Sequence, residues 1–171
     1  MKVINIFGGP GCGKSSTAAG LFYLMKRQDL NVELVTEYAK DLTWEGDDSK
    51  LQDQLYILAK QNRRLERLKN KVDYVVTDSP LLLGIQYATP DYFPKFFSSF
   101  LVEIWSQYEN LNYLLTREGS YITIGRSQSE KEAIVLDTEI RNMLSCFNIP
   151  YMVVKSDRQD IFEDMRLVED D

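Results

Sequence analysis

One octapeptide constrains the fold of this chain more than any other feature. Gly8-Gly9-Pro10-Gly11-Cys12-Gly13-Lys14-Ser15 directly follows the apolar run Val3-Ile4-Asn5-Ile6-Phe7. It matches the spacing G-x-x-x-x-G-K-[ST] at every fixed position, with a buried strand reading before it and a helix, Lys14 to about Arg27, reading after it. Glycines let successive backbone N–H groups turn inward around a polyphosphate, and the helix that follows adds the positive end of its dipole. In such a cradle Lys14 reaches the β- and γ-phosphates and Ser15 offers its hydroxyl to Mg²⁺. Gly8, Gly9, Pro10, Gly11, Cys12, Gly13, Lys14, Ser15 and Ser16 are therefore the candidate nucleotide-binding residues, with ATP and Mg²⁺ the expected ligands.

The strand–loop–helix unit opens an alternation that runs through the chain. Val32–Thr36 reads as a second strand, Tyr74–Thr77 as a third, Asn112–Thr116 as a fourth and Tyr151–Val154 as a fifth. Between them, Trp44–Ser49 reads as a polar loop, and a long amphipathic helix carries Leu51, Leu55, Leu58, Leu65 and Leu68 near the helical period. An aromatic-rich helix is expected from about Tyr92 to Tyr108, another from about Glu130 to Phe147, and a short acidic helix at the end. Alternation of this kind implies a parallel sheet covered on both faces, with right-handed crossovers. At 171 residues the chain is about one domain long, and no repeat or linker divides it.

Ligands in such folds sit beyond the carboxyl ends of the strands. The phosphate loop follows the first strand, Glu37 the second, Asp78 the third and Arg117 the fourth, so four polar elements converge on one edge. Asp78 is placed to order Mg²⁺ together with Ser15. Glu37 is placed across the cleft from the loop, where a carboxylate can take a proton from an acceptor hydroxyl. Residues 117–129 carry Arg117, Arg126, Gly119 and Gly125 and read as a lid. Arginine suits bidentate phosphate contact, so Arg117 is assigned to nucleotide binding and Arg126 to the transferring phosphoryl group.

Composition narrows the chemistry further. The chain has no histidine, which leaves carboxylates, lysine or tyrosine as general bases and excludes His-ligated metals. A net charge of −6 argues against a broad grip on duplex nucleic acid. Cys12 and Cys146 read as free thiols in a reducing compartment. With no signal peptide or membrane-length apolar run in the sequence, the expected location is cytoplasmic, the host cytoplasm if the chain is phage-encoded. Gln54, Gln61, Arg63 and Arg64 read as the wet face of their helix, while Tyr87 and Tyr92 are the aromatics best placed to stack on a base.

Taken together, Lys14-Ser15, Thr36-Glu37-Tyr38-Ala39, Thr77-Asp78-Ser79-Pro80 and Gly125-Arg126-Ser127-Gln128 resemble the small P-loop nucleoside and nucleotide kinases. The nearest groups are the ribosylnicotinamide-kinase-like proteins, the deoxynucleoside kinases and short phage-encoded AAA-type ATPases or kinases. The resemblance runs in order along nearly the whole chain. It implies an α/β P-loop NTPase three-layer sandwich, with a central, mainly parallel five-stranded sheet and a flexible lid. It also implies an ATP-dependent kinase with Glu37 as acceptor-side base, Asp78 as metal-associated carboxylate and Arg126 as lid arginine. The third strand departs from the acidic-Arg-Ser ending of deoxynucleoside kinases, and the Asp-Arg pair of thymidylate kinases is missing. A nucleoside or nucleotide acceptor, a hydroxymethylated base in DNA, and a regulatory ATPase with no small-molecule acceptor therefore stay open, as does the oligomeric state. GTPase readings fall away, because no Asn-Lys-x-Asp motif occurs.

Overall fold

The computed structural model describes residues 1–88, 96–117, 121 and 129–155. Its centre is the first strand, β1 (Lys2–Phe7), hydrogen-bonded on both sides. Alternate residues of a strand face opposite ways, and here they divide the core in two. Ile4 and Ile6 pack with Ala18, Leu21 and Met25 of α1 (Lys14–Arg27) on one face. Val3 and Phe7 pack on the other with Leu58, Leu101 and Leu144, which come from three later helices. A strand covered on both faces can be apolar throughout, which is why Val3–Phe7 shows so little alternation.

Asn5 is the polar exception in this strand. Its amide nitrogen donates to Asn110 Oδ1 at 2.9 Å and Asn112 Oδ1 at 3.0 Å, across the register Asn5↔Asn112. Asn112 donates onward to the Pro150 carbonyl at 3.0 Å. The buried amides thus satisfy one another, forming a polar seam that ties β4 (Glu109–Thr116) to the centre of the sheet.

The other strands are β2 (Val32–Val35), β3 (Tyr74–Thr77) and β5 (Met152–Lys155). Their order is β2-β3-β1-β4-β5 with every pairing parallel, so the expected mainly parallel five-stranded sheet is found as a wholly parallel one. Helices lie on both faces, completing the expected three layers. The order places β3 beside β1, so the phosphate loop and Asp78 leave adjacent strands at the same edge.

Two sequence expectations fail between β2 and β3. Trp44 and Glu45, read as loop, are the last residues of a helix, α2 (Tyr38–Glu45). Gly46 stops it at φ 70°, a left-handed cap that glycine takes without strain. The single long helix is in fact two, α3 (Asp48–Gln52) and α4 (Gln54–Glu66). Asp47 caps the first by accepting from Lys50 N at 3.1 Å, and Asp53 caps the second by accepting from Tyr56 N at 3.0 Å. The restart at Asp53 shifts the helical phase. Leu55, expected inside, is 46% exposed, and the buried stripe is Gln54, Leu58, Gln61 and Leu65.

Beyond β3 come a short 3₁₀ turn (Leu81–Leu83), α5 (Gly84–Tyr87), α6 (Phe97–Trp105), and α7 (Glu130–Cys146) after β4. Ser129 and Glu132 form a reciprocal capping box at the start of α7. The beginning of the aromatic helix, residues 118–120 and 122–128 of the expected lid, and the acidic terminal helix lie outside the described residues.

Candidate active site

The phosphate loop joins β1 to α1 at the edge where the sheet's carboxyl ends meet. Gly11 and Gly13 hold φ values of 78° and 95°, a region that side chains avoid, so the loop's curvature depends on glycine there. Lys14 Nζ donates to the Gly9 carbonyl at 3.1 Å, which folds the side chain back over the loop. Cys12 is buried among the residues that pack on α1, with its thiol lying where a side chain on Gly8 would begin. Burial pushes that thiol up in pKa, partly offset by Lys14. The cysteine therefore supports the loop from within the core.

Ser15 and Asp78 meet as expected. The Ser15 hydroxyl donates to Asp78 Oδ2 at 2.5 Å, linking the start of α1 to the end of β3. Asp78 is only 3% exposed, and its other oxygen, Oδ1, is buried with no hydrogen-bond partner. A buried carboxylate oxygen without a donor is costly, whereas a hydrated divalent cation would satisfy it. The pair thus fits the Mg²⁺ site expected of it.

Glu37 is the residue preceding α2, yet its carboxylate makes no capping hydrogen bond. That work is done from α4. Gln61 Oε1 accepts the Tyr38 N–H at 2.9 Å, and Gln61 Nε2 donates to the Thr36 carbonyl at 3.2 Å. One amide therefore holds the backbone on both sides of Glu37 and satisfies a helix N-terminal donor that otherwise has no partner. Arg64 reinforces the same point by donating to the Thr36 carbonyl at 3.0 Å while pairing with Asp41. Freed from capping, Glu37 is pushed up in pKa by burial; Lys14 opposes the rise and Asp78 adds to it.

Lys14, Ser15, Glu37 and Gln61 share one cleft of about 760 Å³. Pro10, Gly11, Gly13, Lys14, Ser15 and Ser16 line one end, with Glu37 beside them. The other end lies between α2, α3, α4 and α5 and is lined by Lys40, Thr43, Leu51, Gln54, Ile57, Gln61 and Tyr87 among others. Gln54 and Gln61, read from the sequence as a wet helix face, are 6% and 3% exposed and line the cleft. Arg64 is committed to Asp41 and Thr36, and Arg63 stays on the exposed side. Tyr87 lines the cleft, and burial pushes its hydroxyl up in pKa. Gly8, Gly9, Cys12, Asp78 and Arg117 are not among the lining residues; Asp78 lies behind Ser15, to which it is hydrogen-bonded. Arg126 and Tyr92 fall outside the described residues.

Arg117 is drawn to a residue the sequence reading did not single out. Its Nε donates to Asp137 Oδ2 on α7 at 2.8 Å, and the other carboxylate oxygen of Asp137 accepts the Gly9 N–H at 2.6 Å.

The fold is that of the small P-loop nucleoside and nucleotide kinases. A structure of deoxyadenosine kinase from M. mycoides, with products dCMP and a flexible dCDP bound, superposes with a TM-score of 0.55 at 17% identity, covering 98% of this chain and 96% of that one. The same enzyme with bound dATP gives 0.52 at 18% identity, covering 98% and 97%. No curated protein matches the sequence. The family model described as an AAA domain, AAA_28, matches residues 3–160, from the first strand past the end of the fifth. The chain belongs to this AAA domain family.

Proposed function

We propose that the protein is an ATP-dependent phosphotransferase whose acceptor is the hydroxyl of a nucleoside-like small molecule. One observation carries the reading: a partly buried carboxylate, Glu37, that no capping bond occupies lines the same cleft as Lys14 and Ser15. A carboxylate so placed can take the proton of a hydroxyl bound in the same cleft, which continues beyond it with room for such an acceptor.

Each candidate site residue takes a role in the proposed transfer. The loop's N–H groups and Lys14 hold the triphosphate and offset charge that builds on it during transfer. Ser15 and Asp78 would hold Mg²⁺, which would supply further charge neutralisation at the phosphate oxygens. Glu37 accepts the proton of the acceptor hydroxyl as that oxygen bonds to the γ-phosphorus. The bond from the γ-phosphorus to the β,γ-bridging oxygen breaks, leaving ADP, phosphorylated acceptor and a protonated Glu37. Arg117 contributes on the nucleotide side; Arg126, which lies outside the described residues, is assigned to the transferring group from the sequence alone.

The acceptor end of the cleft supports a neutral acceptor over a monophosphate. Apart from Lys14, Lys40 is the one cation among the described lining residues, while Glu37 and Asp48 are acidic and the remainder amide, hydroxyl or apolar. A phosphate placed there would meet Asp48 and Lys40, with Glu37 where that end joins the phosphate loop. The deoxyadenosine kinases with the same fold are named for nucleoside phosphorylation, which agrees with this choice.

The test is incubation with γ-labelled ATP and Mg²⁺ against nucleosides, nucleoside monophosphates, nicotinamide riboside, and plain and base-hydroxymethylated DNA. Label on a nucleoside-type hydroxyl is the expected result. Slow release of free phosphate, unchanged by every acceptor, would contradict the assignment and favour a regulatory ATPase.

A further inference from the structure

The nucleotide end of the cleft rests on a carboxylate that belongs to no phosphate-loop motif. Asp137 lies on α7, 128 residues along the chain from Gly9, and its side chain is 25% exposed. Oδ1 accepts the Gly9 N–H at 2.6 Å, while Oδ2 accepts from Arg117 Nε at 2.8 Å and lies 2.8 Å from a terminal nitrogen of the same guanidinium. Arg117 also donates to the Ala133 carbonyl at 3.4 Å, one turn earlier on α7.

Gly9 is gripped at both ends of its backbone. Its N–H goes to Asp137, and its carbonyl accepts from Lys14 Nζ at 3.1 Å. Contact with α7 is close enough that a Cβ on Gly9 would lie 2.6 Å from Asp137 Oδ1 and 2.8 Å from the Ala133 carbonyl. Glycine at this position is therefore a requirement of packing against α7.

A lone carboxylate beside a triphosphate site would repel its ligand. Here Arg117 cancels that charge, and Asp137 in turn fixes the direction of the guanidinium. Among the described residues Arg117 Nη1 is left buried with no hydrogen-bond partner, while the guanidinium carbon lies 5.8 Å from the centre of the Tyr121 ring. An unpaired buried guanidinium nitrogen is a donor waiting for an acceptor oxygen.

We infer that Asp137 is a positioning residue of the nucleotide site, fixing the Gly9 peptide and aiming Arg117 so that Nη1 is available to an anionic oxygen of the bound nucleotide. The inference rests on the ATP-binding reading given above. It assigns Asp137 to nucleotide affinity and not to acceptor affinity or to the proton transfer at Glu37.

The test uses Asp137→Ala and Asp137→Asn in the full chain, with two readouts. Titration of Mg·ATP is expected to show Asp137→Ala binding roughly ten- to a hundredfold more weakly, the range associated with a hydrogen bond to a charged group. Asp137→Asn keeps an acceptor oxygen and is expected to fall between Asp137→Ala and wild type. The KM for the acceptor is expected to stay within about twofold, since the hydrogen bonds Asp137 makes among the described residues go to Gly9 and Arg117 and not to that end. Independently of ATP, the Gly9 amide is expected to lose hydrogen-exchange protection in Asp137→Ala. Wild-type binding of Mg·ATP with an Asp137→Ala affinity equal to it would overturn the inference and leave the kinase reading intact. Failure of the wild-type protein itself to bind Mg·ATP would overturn both. Equal losses for ATP and acceptor, with a lowered melting temperature and no recovery in Asp137→Asn, would reduce Asp137 to a packing role.

Discussion

The two ends of the cleft are built in opposite ways. At the nucleotide end, residues 8–16 are contiguous, and their geometry is set largely by backbone and glycine. At the acceptor end, side chains from α2, α3, α4 and α5 converge, and each depends on the rotational phase of its helix. The contrast teaches where each function is stored. On the proposed reading, phosphate binding is held mainly in a short sequence braced by Asp78 and Asp137, whereas acceptor recognition is held in packing.

Substitutions at the two ends are accordingly expected to differ in size and kind. The largest effect belongs to Lys14→Ala. Removing the ammonium from the phosphate end is expected to reduce turnover by about a hundredfold to a thousandfold, in line with loss of one preorganised charge-stabilising donor. Single-turnover transfer of γ-label checks it, and the fold is expected to persist because, among the described residues, Lys14 makes one side-chain bond, to the Gly9 carbonyl.

Gln61→Ala comes next and sharpens the comparison at the other end. It leaves the Tyr38 N–H without its partner and frees the backbone on both sides of Glu37. A stability loss of about 1–3 kcal/mol is expected from an unsatisfied buried donor, measured by urea unfolding. Turnover is expected to fall while Mg·ATP affinity stays close to wild type; an equal loss of both would break the distinction between the two ends.

Leu55→Gln is the smallest. The sequence period places Leu55 in the core, but it is 46% exposed. A change within about 0.5 kcal/mol is expected for a surface position, whereas a core leucine would cost several times more.

What could be read from the sequence follows the same division. The phosphate loop, Ser15, Asp78 and the parallel sheet were legible because each is local: a fixed spacing, or a polar residue where an apolar strand ends. The meeting of Ser15 with Asp78 was expected because both lie where strands end, and the adjacency of β3 to β1 brings it about. Gln54 and Gln61 were misread because the helical period was counted from Leu51 through Leu68, while Asp53 caps a new helix and resets the phase. Trp44 and Glu45 were assigned to loop because Gly46-Asp47-Asp48 dominates the local composition, yet α2 runs up to that glycine. Asp137 carried no signal of its own. It is one acid on a charged amphipathic helix, and its partners Gly9 and Arg117 are brought to it only by the fold.

The central claim is that Glu37 serves as base across from the phosphate loop, and the pH dependence of transfer in wild type and Glu37→Gln tests it most directly. Burial raises Glu37 above the usual glutamate value of 4.5, so the ionised, proton-accepting form is lost as pH falls through that raised value. Wild-type kcat/KM for the acceptor is therefore expected to show an acidic limb lying above pH 4.5. In Glu37→Gln that limb is expected to disappear and turnover to fall by roughly a hundredfold to ten-thousandfold, while Mg·ATP affinity holds within about threefold. Retention of the acidic limb and near-normal turnover in Glu37→Gln, or loss of ATP binding in its place, would contradict the account.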